Sequence, residues 1–137
     1  MAELAGKSRP QFRNIHVTQI LAYRLPPAGV VSILHRISGA LLFLIGIPFA
    51  LYLFQLSVTS EISFESYRAI VSHWFAKLVL LALIWAIVHH ALAGLRHLFT
   101  DAHFWLDLAP ARVSAIAVLV ASVLLTAVLG LRLFGVF

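Results

Sequence analysis

Residues 78–101 read LVLLALIWAIVHHALAGLRHLFTD. This segment has the length and apolar character of a transmembrane helix, yet it carries two adjacent histidines, His89 and His90, well inside it. It ends in three further polar residues, Arg96, His97 and Asp101. An ionisable side chain is costly in hydrocarbon, so it normally faces a partner or a cavity and marks a functional site. We therefore expect the function of this chain to depend on these residues.

The composition of the whole chain is that of an integral membrane protein. The 137 residues are one domain's worth of sequence, and 62% of them are hydrophobic while 11% are charged. The mean hydropathy is +1.00. Soluble domains are about one quarter charged, and small domains leave a large share of their surface exposed. A water-soluble fold of this sequence is therefore excluded.

Hydropathy divides the chain into a leader and three spans. We predict a cytoplasmic leader over residues 1–29 and a transmembrane anchor domain over residues 30–137. The fold class is all-α, with three transmembrane helices forming part of a heteromeric helix bundle. The predicted helices cover about residues 30–56, 73–99 and 111–132. No internal repeat is visible, so an inverted-repeat transporter has little support.

Prolines and polar residues predict the details between and within these spans. Pro48 lies inside the first span and predicts a local kink. Residues 57–72 are polar and predict the first loop, with a short interfacial helix over residues 64–74. Pro110 suits the first turn of the third helix.

The basic residues are distributed in the way that sets membrane topology. The net charge is +5, but the Lys and Arg side chains are not gathered into one run or face, so we expect no nucleic-acid partner. The leader and second loop hold Lys7, Arg9, Arg13, Arg24, Arg96 and Arg112; the first loop and tail hold Arg68, Lys77 and Arg132. The positive-inside rule predicts a cytoplasmic N-terminus in a multi-pass protein of the bacterial inner membrane, with its C-terminus outside.

A polar cluster begins the first span. Ser32, His35 and Arg36 stand at i, i+3 and i+4, so they share one face of one helical turn. A lone arginine there would be an interfacial anchor that extends to the lipid headgroups. A hydroxyl and a guanidinium together also suit a quinone carbonyl or a carboxylate such as a haem propionate. Both interpretations stay open at this point.

A second cluster lies in residues 78–101. His90, Gly94 and His97 share a face, but His90 and His97 are about 10 Å apart along the axis and cannot bind one metal ion together. Ala86 and Gly94 lie one turn from His90 and leave room for a flat macrocycle. The chain has no cysteine, and histidine is a common axial ligand of haem iron. The alternative is a histidine that hydrogen-bonds a neighbouring helix, and for a single membrane histidine the two are about equally frequent.

The sequence contains no second axial ligand at the depth of His90. Residues 39–45 and 115–120 lie at that depth in the other two spans, and neither segment contains His or Met. If His90 binds a haem with two protein ligands, the other ligand must come from another chain. His89 points about 100° away from His90 and is the weaker candidate.

Three motifs carry a family resemblance over nearly the whole chain. Arg9-Pro10, SILHRISG at residues 32–39 and HALAGLRHLFTD at residues 90–101 resemble the large cytochrome b-type membrane-anchor subunit of succinate dehydrogenase, respiratory complex II. The resemblance implies that His90, four residues before the motif glycine, is the axial ligand of haem b. It implies that Ser32 and Arg36 line the ubiquinone site, and that His35, with Arg36 and His97, lies near the haem propionates.

The resemblance also implies partners and a role. A small membrane-anchor subunit supplies the second haem ligand, and an iron–sulfur subunit and a flavoprotein subunit dock on the cytoplasmic side, with membrane lipid around the anchor. The chain does not oxidise succinate itself but helps to pass electrons to ubiquinone. His89 places a second imidazole next to His90, at a position where many relatives have another residue. The four-residue spacing to Gly94 indicates that His90 is the ligand. His89, Arg96 and Asp101 are therefore secondary candidates. Two alternatives remain: an anchor of a quinol:fumarate reductase, and a structural or assembly subunit without haem.

Overall fold

The computed structural model describes residues 15–136, except for the side chain of Leu21. All regular elements in this part of the chain are helical. They are α1 (Val17–Ala22), α2 (Pro27–Leu41), a π-helical turn (Leu42–Gly46), α3 (Ile47–Thr59), α4 (Glu61–Ser72), α5 (Trp74–Asp101) and α6 (Leu108–Leu133). The predicted features of the leader before residue 15, including Lys7, Arg9-Pro10 and Arg13, lie outside the described residues.

Three helical segments are long and apolar enough to cross a membrane. They are Pro27–Thr59, Trp74–Asp101 and Leu108–Leu133, with 33, 28 and 26 residues. The first consists of α2, the π-helical turn and α3; the second is α5 and the third is α6. At 1.5 Å per residue each exceeds the roughly 30 Å of a hydrocarbon core. The predicted all-helical class with three transmembrane helices is confirmed.

The first span contains a widened turn just before Pro48. The Ile47 N–H donates to the carbonyl of Leu42, five residues back, so the helix takes the π form over Leu42–Gly46. Pro48 has no N–H to donate to the carbonyl four residues back, and its ring clashes with that carbonyl in a regular α-helix. The wider turn accommodates the proline while the helix continues as α3.

The segment between the first two spans is more helical than the sequence analysis predicted. The predicted loop over residues 57–72 is wrong, because α3 extends to Thr59 and α4 occupies Glu61–Ser72. The short helix predicted within it, over residues 64–74, overlaps α4 but was placed too late. The two helices meet at Ser60, which forms a capping box with Ser63: the Ser63 N–H donates to Ser60 Oγ, and the Ser60 N–H donates to Ser63 Oγ. These bonds satisfy backbone donors that α4 would otherwise leave free.

The three spans contact one another through small side chains. Val31 of α2, Ala93 of α5 and Ala115 of α6 are completely buried and form the centre of the contact. Small residues let membrane helices approach closely, which is how such helices associate in lipid. Only 17–22% of the most apolar window of each span is buried, so most large apolar side chains face outward. This surface is suited to lipid and to partner helices.

Candidate functional site

The centre of the candidate site is a pair of stacked imidazoles between α2 and α5. His35 of α2 and His90 of α5 have ring centroids 4.1 Å apart and planes inclined by 12°. His97, two turns along α5 from His90, meets His35 edge-on with centroids 5.1 Å apart. The structure therefore brings together three sequence-predicted residues from two helices. Among the described residues, no group of His, Asp and Glu is arranged to hold a metal ion by itself.

The ring of His90 is oriented by two oxygen atoms of α2. Its Nδ1 lies 3.1 Å from the carbonyl oxygen of His35 and 3.3 Å from Ser38 Oγ. The Ser38 hydroxyl itself donates to the same His35 carbonyl, at 2.9 Å. Because a carbonyl oxygen can only accept, the proton of a neutral His90 ring belongs on Nδ1. The lone pair is then on Nε2, the nitrogen available to a metal.

Two glycines make the close approach of these rings possible. A Cβ atom at Gly39 would lie 2.8 Å from His90 Cε1, and a Cβ at Gly94 would lie 3.3 Å from His35 Nε2. The first distance is well inside the usual carbon–carbon contact of about 3.5–4.0 Å. Gly94 was singled out from the sequence, but Gly39 and Ser38 were not, although both stand inside the SILHRISG motif.

Ser32 and Arg36 flank the imidazole pair on α2 and remain available for other partners. Arg36 is exposed and Ser32 half-buried. Within the described residues no hydrogen bond or ion pair engages either side chain. They lie on the same turn as His35, as the spacing predicts. The Ser32 hydroxyl and the Arg36 guanidinium, both hydrogen-bond donors, therefore lie together beside the histidines.

His89 faces α6 rather than the imidazole pair. It is completely buried, its Nδ1 lies 3.2 Å from Ser122 Oγ of α6, and its ring stacks on Trp85 with centroids 5.4 Å apart. Its Nε2 has no hydrogen-bond partner in the described structure. These contacts are those of a helix-packing histidine between α5 and α6.

Arg96 and His97 are neighbours in sequence but face different helices. Arg96 is 6% exposed; its Nε donates to Ser114 Oγ at 3.1 Å and its Nη2 donates to the Ala111 carbonyl at 3.2 Å, both on α6. Asp101, the last residue of α5, is exposed and is not paired with Arg96. The polar cluster at this end of α5 is therefore divided, and only His97 joins His35 and His90.

Comparison with known proteins identifies the family of the chain. The family model described as succinate dehydrogenase/fumarate reductase transmembrane subunit matches residues 8–129. The chain belongs to this family. It is 38% identical to the succinate dehydrogenase cytochrome b556 subunit of Paracoccus denitrificans over 137 residues, which is 100% of both chains.

Two further relatives are also similar to this chain in sequence. The cytochrome b556 subunit of Coxiella burnetii succinate dehydrogenase is 36% identical over 111 residues, covering 80% of this chain and 85% of the relative. That of Rickettsia felis is 29% identical over 107 residues, covering 78% and 82%. The resemblance found in the sequence motifs is confirmed, and with it the role of a membrane subunit of succinate dehydrogenase. Such a subunit acts together with the other subunits of its complex.

Proposed function

We propose that this membrane subunit binds haem b through His90 and forms part of the site at which succinate dehydrogenase reduces ubiquinone. The observation that carries the proposal is the contact of His90 Nδ1 with the His35 carbonyl. Metal-ligating histidines almost always donate their other ring N–H to a carbonyl, carboxylate or water, which fixes the tautomer and the ring orientation. His90 has this arrangement and His89 has a serine hydroxyl and a tryptophan ring instead.

The surroundings of His90 fit a haem group. The donor set suits haem iron, because the Nδ1 of His90 faces the His35 carbonyl and leaves Nε2 for a metal, while Gly39 and Gly94 let the His90 and His35 rings pack this closely between α2 and α5. The curated relatives are named cytochrome b556 subunits, which supports a b-type haem. When bound, haem b accepts and returns one electron at its iron. His90 would ligate the iron, and His35, its sequence neighbour Arg36, and His97, whose ring meets that of His35, would hold the propionates.

A partner chain is needed to complete the site. Residues 39–45 and 115–120 contain no His or Met, and His89 is turned toward α6. A second protein ligand would therefore come from a small membrane-anchor subunit of the complex. An iron–sulfur subunit and a flavoprotein subunit would supply electrons from succinate.

Ser32 and Arg36 are suited to ubiquinone. The Ser32 hydroxyl would donate a hydrogen bond to a quinone carbonyl, and the Arg36 guanidinium would stabilise the negative charge that develops as the quinone is reduced. Both side chains have no other partner among the described residues. With the N-terminus in the cytoplasm, as the positive-inside rule predicts, this turn lies at the cytoplasmic boundary of the membrane, where the soluble subunits would dock.

The proposal is tested by the reduced-minus-oxidised visible spectrum of the purified complex. Replacing His90 by Ala should abolish the b-type haem bands, whereas His89→Ala should retain them because His89 only packs α5 against α6. If His89→Ala lost the bands and His90→Ala kept them, the assignment of the ligand would be wrong. A wild-type complex without any haem band would favour the structural or assembly subunit instead.

A further inference from the structure

A groove between α5 and α6 lies on the side of the bundle to which Arg96 turns. Its volume is about 290 Å³, and its wall is almost wholly apolar. It is lined by Leu92, Leu95, Phe99, Trp105, Ala117 and Val118, with Arg96 and Ser114 as its polar residues. The haem and quinone residues proposed above do not line it. We call it the α5–α6 groove.

Arg96 is a buried cation without a counter-charge in the described part of the chain. Its two hydrogen bonds, to Ser114 Oγ and the Ala111 carbonyl, use neutral acceptors, and no described carboxylate lies within ion-pair distance. A guanidinium has five N–H donors, so these two bonds leave others free. Burying an uncompensated charge at membrane depth is costly, and an anion bound at Arg96 would offset that cost.

The α5–α6 groove has its polar and apolar parts arranged along the membrane normal. Arg96 is five residues from the end of α5, and Ser114 is six residues from the start of α6, so both lie roughly 7–9 Å from the end of this helix pair, which we take as the membrane boundary. Ala111 is nearer the start of α6 than Ser114, so the guanidinium is directed toward the boundary. From Phe99 to Leu92 the groove follows α5 for about 10 Å, about a third of a hydrocarbon core.

The loop after α5 holds an aromatic ring at the boundary end of the groove. Trp105 has a φ of 58°, in the left-handed region that a bulky residue seldom adopts. Its ring lies 5.1 Å from that of Phe99, centroid to centroid. A tryptophan in this position is typical of the headgroup level of a membrane. Strain of this kind persists where the surrounding structure requires the side chain in one place.

We propose that the α5–α6 groove binds one anionic phospholipid of the phosphatidylglycerol class. The lipid phosphate accepts hydrogen bonds from Arg96, and an acyl chain lies along Leu92, Leu95 and Val118. An arginine fork matches the geometry of a phosphate, and the negative charge compensates the buried cation. A neutral quinone would fill the apolar part without offsetting that charge. The site is separate from the imidazole pair and does not depend on the haem or quinone assignments.

The test counts phosphatidylglycerol that stays bound to the purified complex. The complex is reconstituted into phosphatidylcholine nanodiscs with a minority of phosphatidylglycerol, re-extracted with non-ionic detergent, and its retained lipids are counted by mass spectrometry. Arg96→Gln removes the cation. Ala117 is an exposed residue of the groove wall, so Ala117→Leu narrows the groove and leaves Arg96 unchanged. This variant still tests the proposal if the complex carrying Arg96→Gln does not assemble. Each variant should retain one phosphatidylglycerol fewer than the wild-type complex.

Two matched controls separate a specific site from general attraction to the membrane surface. Arg112→Gln removes an exposed guanidinium near the same boundary, and Ala127→Leu enlarges an exposed alanine ten residues further along α6. Both should retain the wild-type count. The proposal is overturned if Ala117→Leu retains the wild-type count, if the controls lose as much lipid as the test variants, or if a photoreactive residue at Leu95 crosslinks to a partner subunit rather than to lipid.

Discussion

Replacing Gly39 by Ala tests how closely the imidazole pair must pack. The added Cβ would lie 2.8 Å from His90 Cε1, short of the usual contact of about 3.5 Å by at least about 0.7 Å. Either the His90 ring rotates or α2 and α5 separate by that amount. Both movements lengthen the 3.1 Å contact between His90 Nδ1 and the His35 carbonyl beyond hydrogen-bond range.

The expected cost can be estimated from these contacts. Overpacking a well-packed site costs about 1–3 kcal/mol, and losing the hydrogen bond costs about 1 kcal/mol more. The better helix propensity of Ala than of Gly offsets about 1 kcal/mol of this destabilisation. The net destabilisation of the site is then about 1–3 kcal/mol, enough to displace the ring without unfolding a three-span subunit. We expect a complex that assembles with a lowered haem content and a lower thermal stability of its haem bands.

Gly29→Ala on the same helix is the matched control. A Cβ at Gly29 would meet its nearest neighbours, Leu25 Cδ2 and Pro26 Cδ, at an ordinary 3.5 Å. It should therefore keep the wild-type haem content and melting curve, measured by the absorbance of the reduced complex. The reasoning would be refuted if Gly39→Ala and Gly29→Ala gave the same haem content and stability.

Two further substitutions separate the roles of the polar residues. Ser122→Ala removes the partner of His89 Nδ1 and should lower the stability of the subunit by about 0.6 kcal/mol in a melting experiment, without changing the haem bands; loss of those bands would contradict the packing role. Arg36→Ala should lower succinate:ubiquinone turnover by about 10- to 150-fold, since a charged hydrogen bond contributes about 1.5–3 kcal/mol, while succinate oxidation with an artificial acceptor stays normal. Unchanged ubiquinone turnover would remove Arg36 from the quinone site.

The sequence predicted those features that depend on hydropathy and helical period. The three spans follow from long apolar runs, and the shared face of His90 and His97 follows from their spacing. The short helix predicted over residues 64–74 corresponds to α4, but its start at Glu61 was missed because the capping box pairs two serines, Ser60 and Ser63, a weaker signal than a serine followed by glutamate. Local pattern alone therefore located the membrane helices but not all of the helical structure between them.

The remaining features depend on how α2 is placed against α5. Ser38 and Gly39 contact His90 only because the two helices meet at one register, and nothing local to SILHRISG specifies that register. That Arg96 and His97 face different helices could have been predicted, because consecutive residues on a helix point about 100° apart. Treating them as one cluster hid the contact of Arg96 with α6.

The most direct test of the account is the midpoint potential of the haem in complexes carrying His90→Met and, as the control, His89→Met. Methionine in place of an axial histidine raises the potential of a haem. If His90 is the ligand, a redox titration of the b-type bands should show a raised potential, or loss of the bands, in His90→Met and the wild-type potential in His89→Met. A wild-type potential in His90→Met, with the shift in His89→Met, would contradict the central claim.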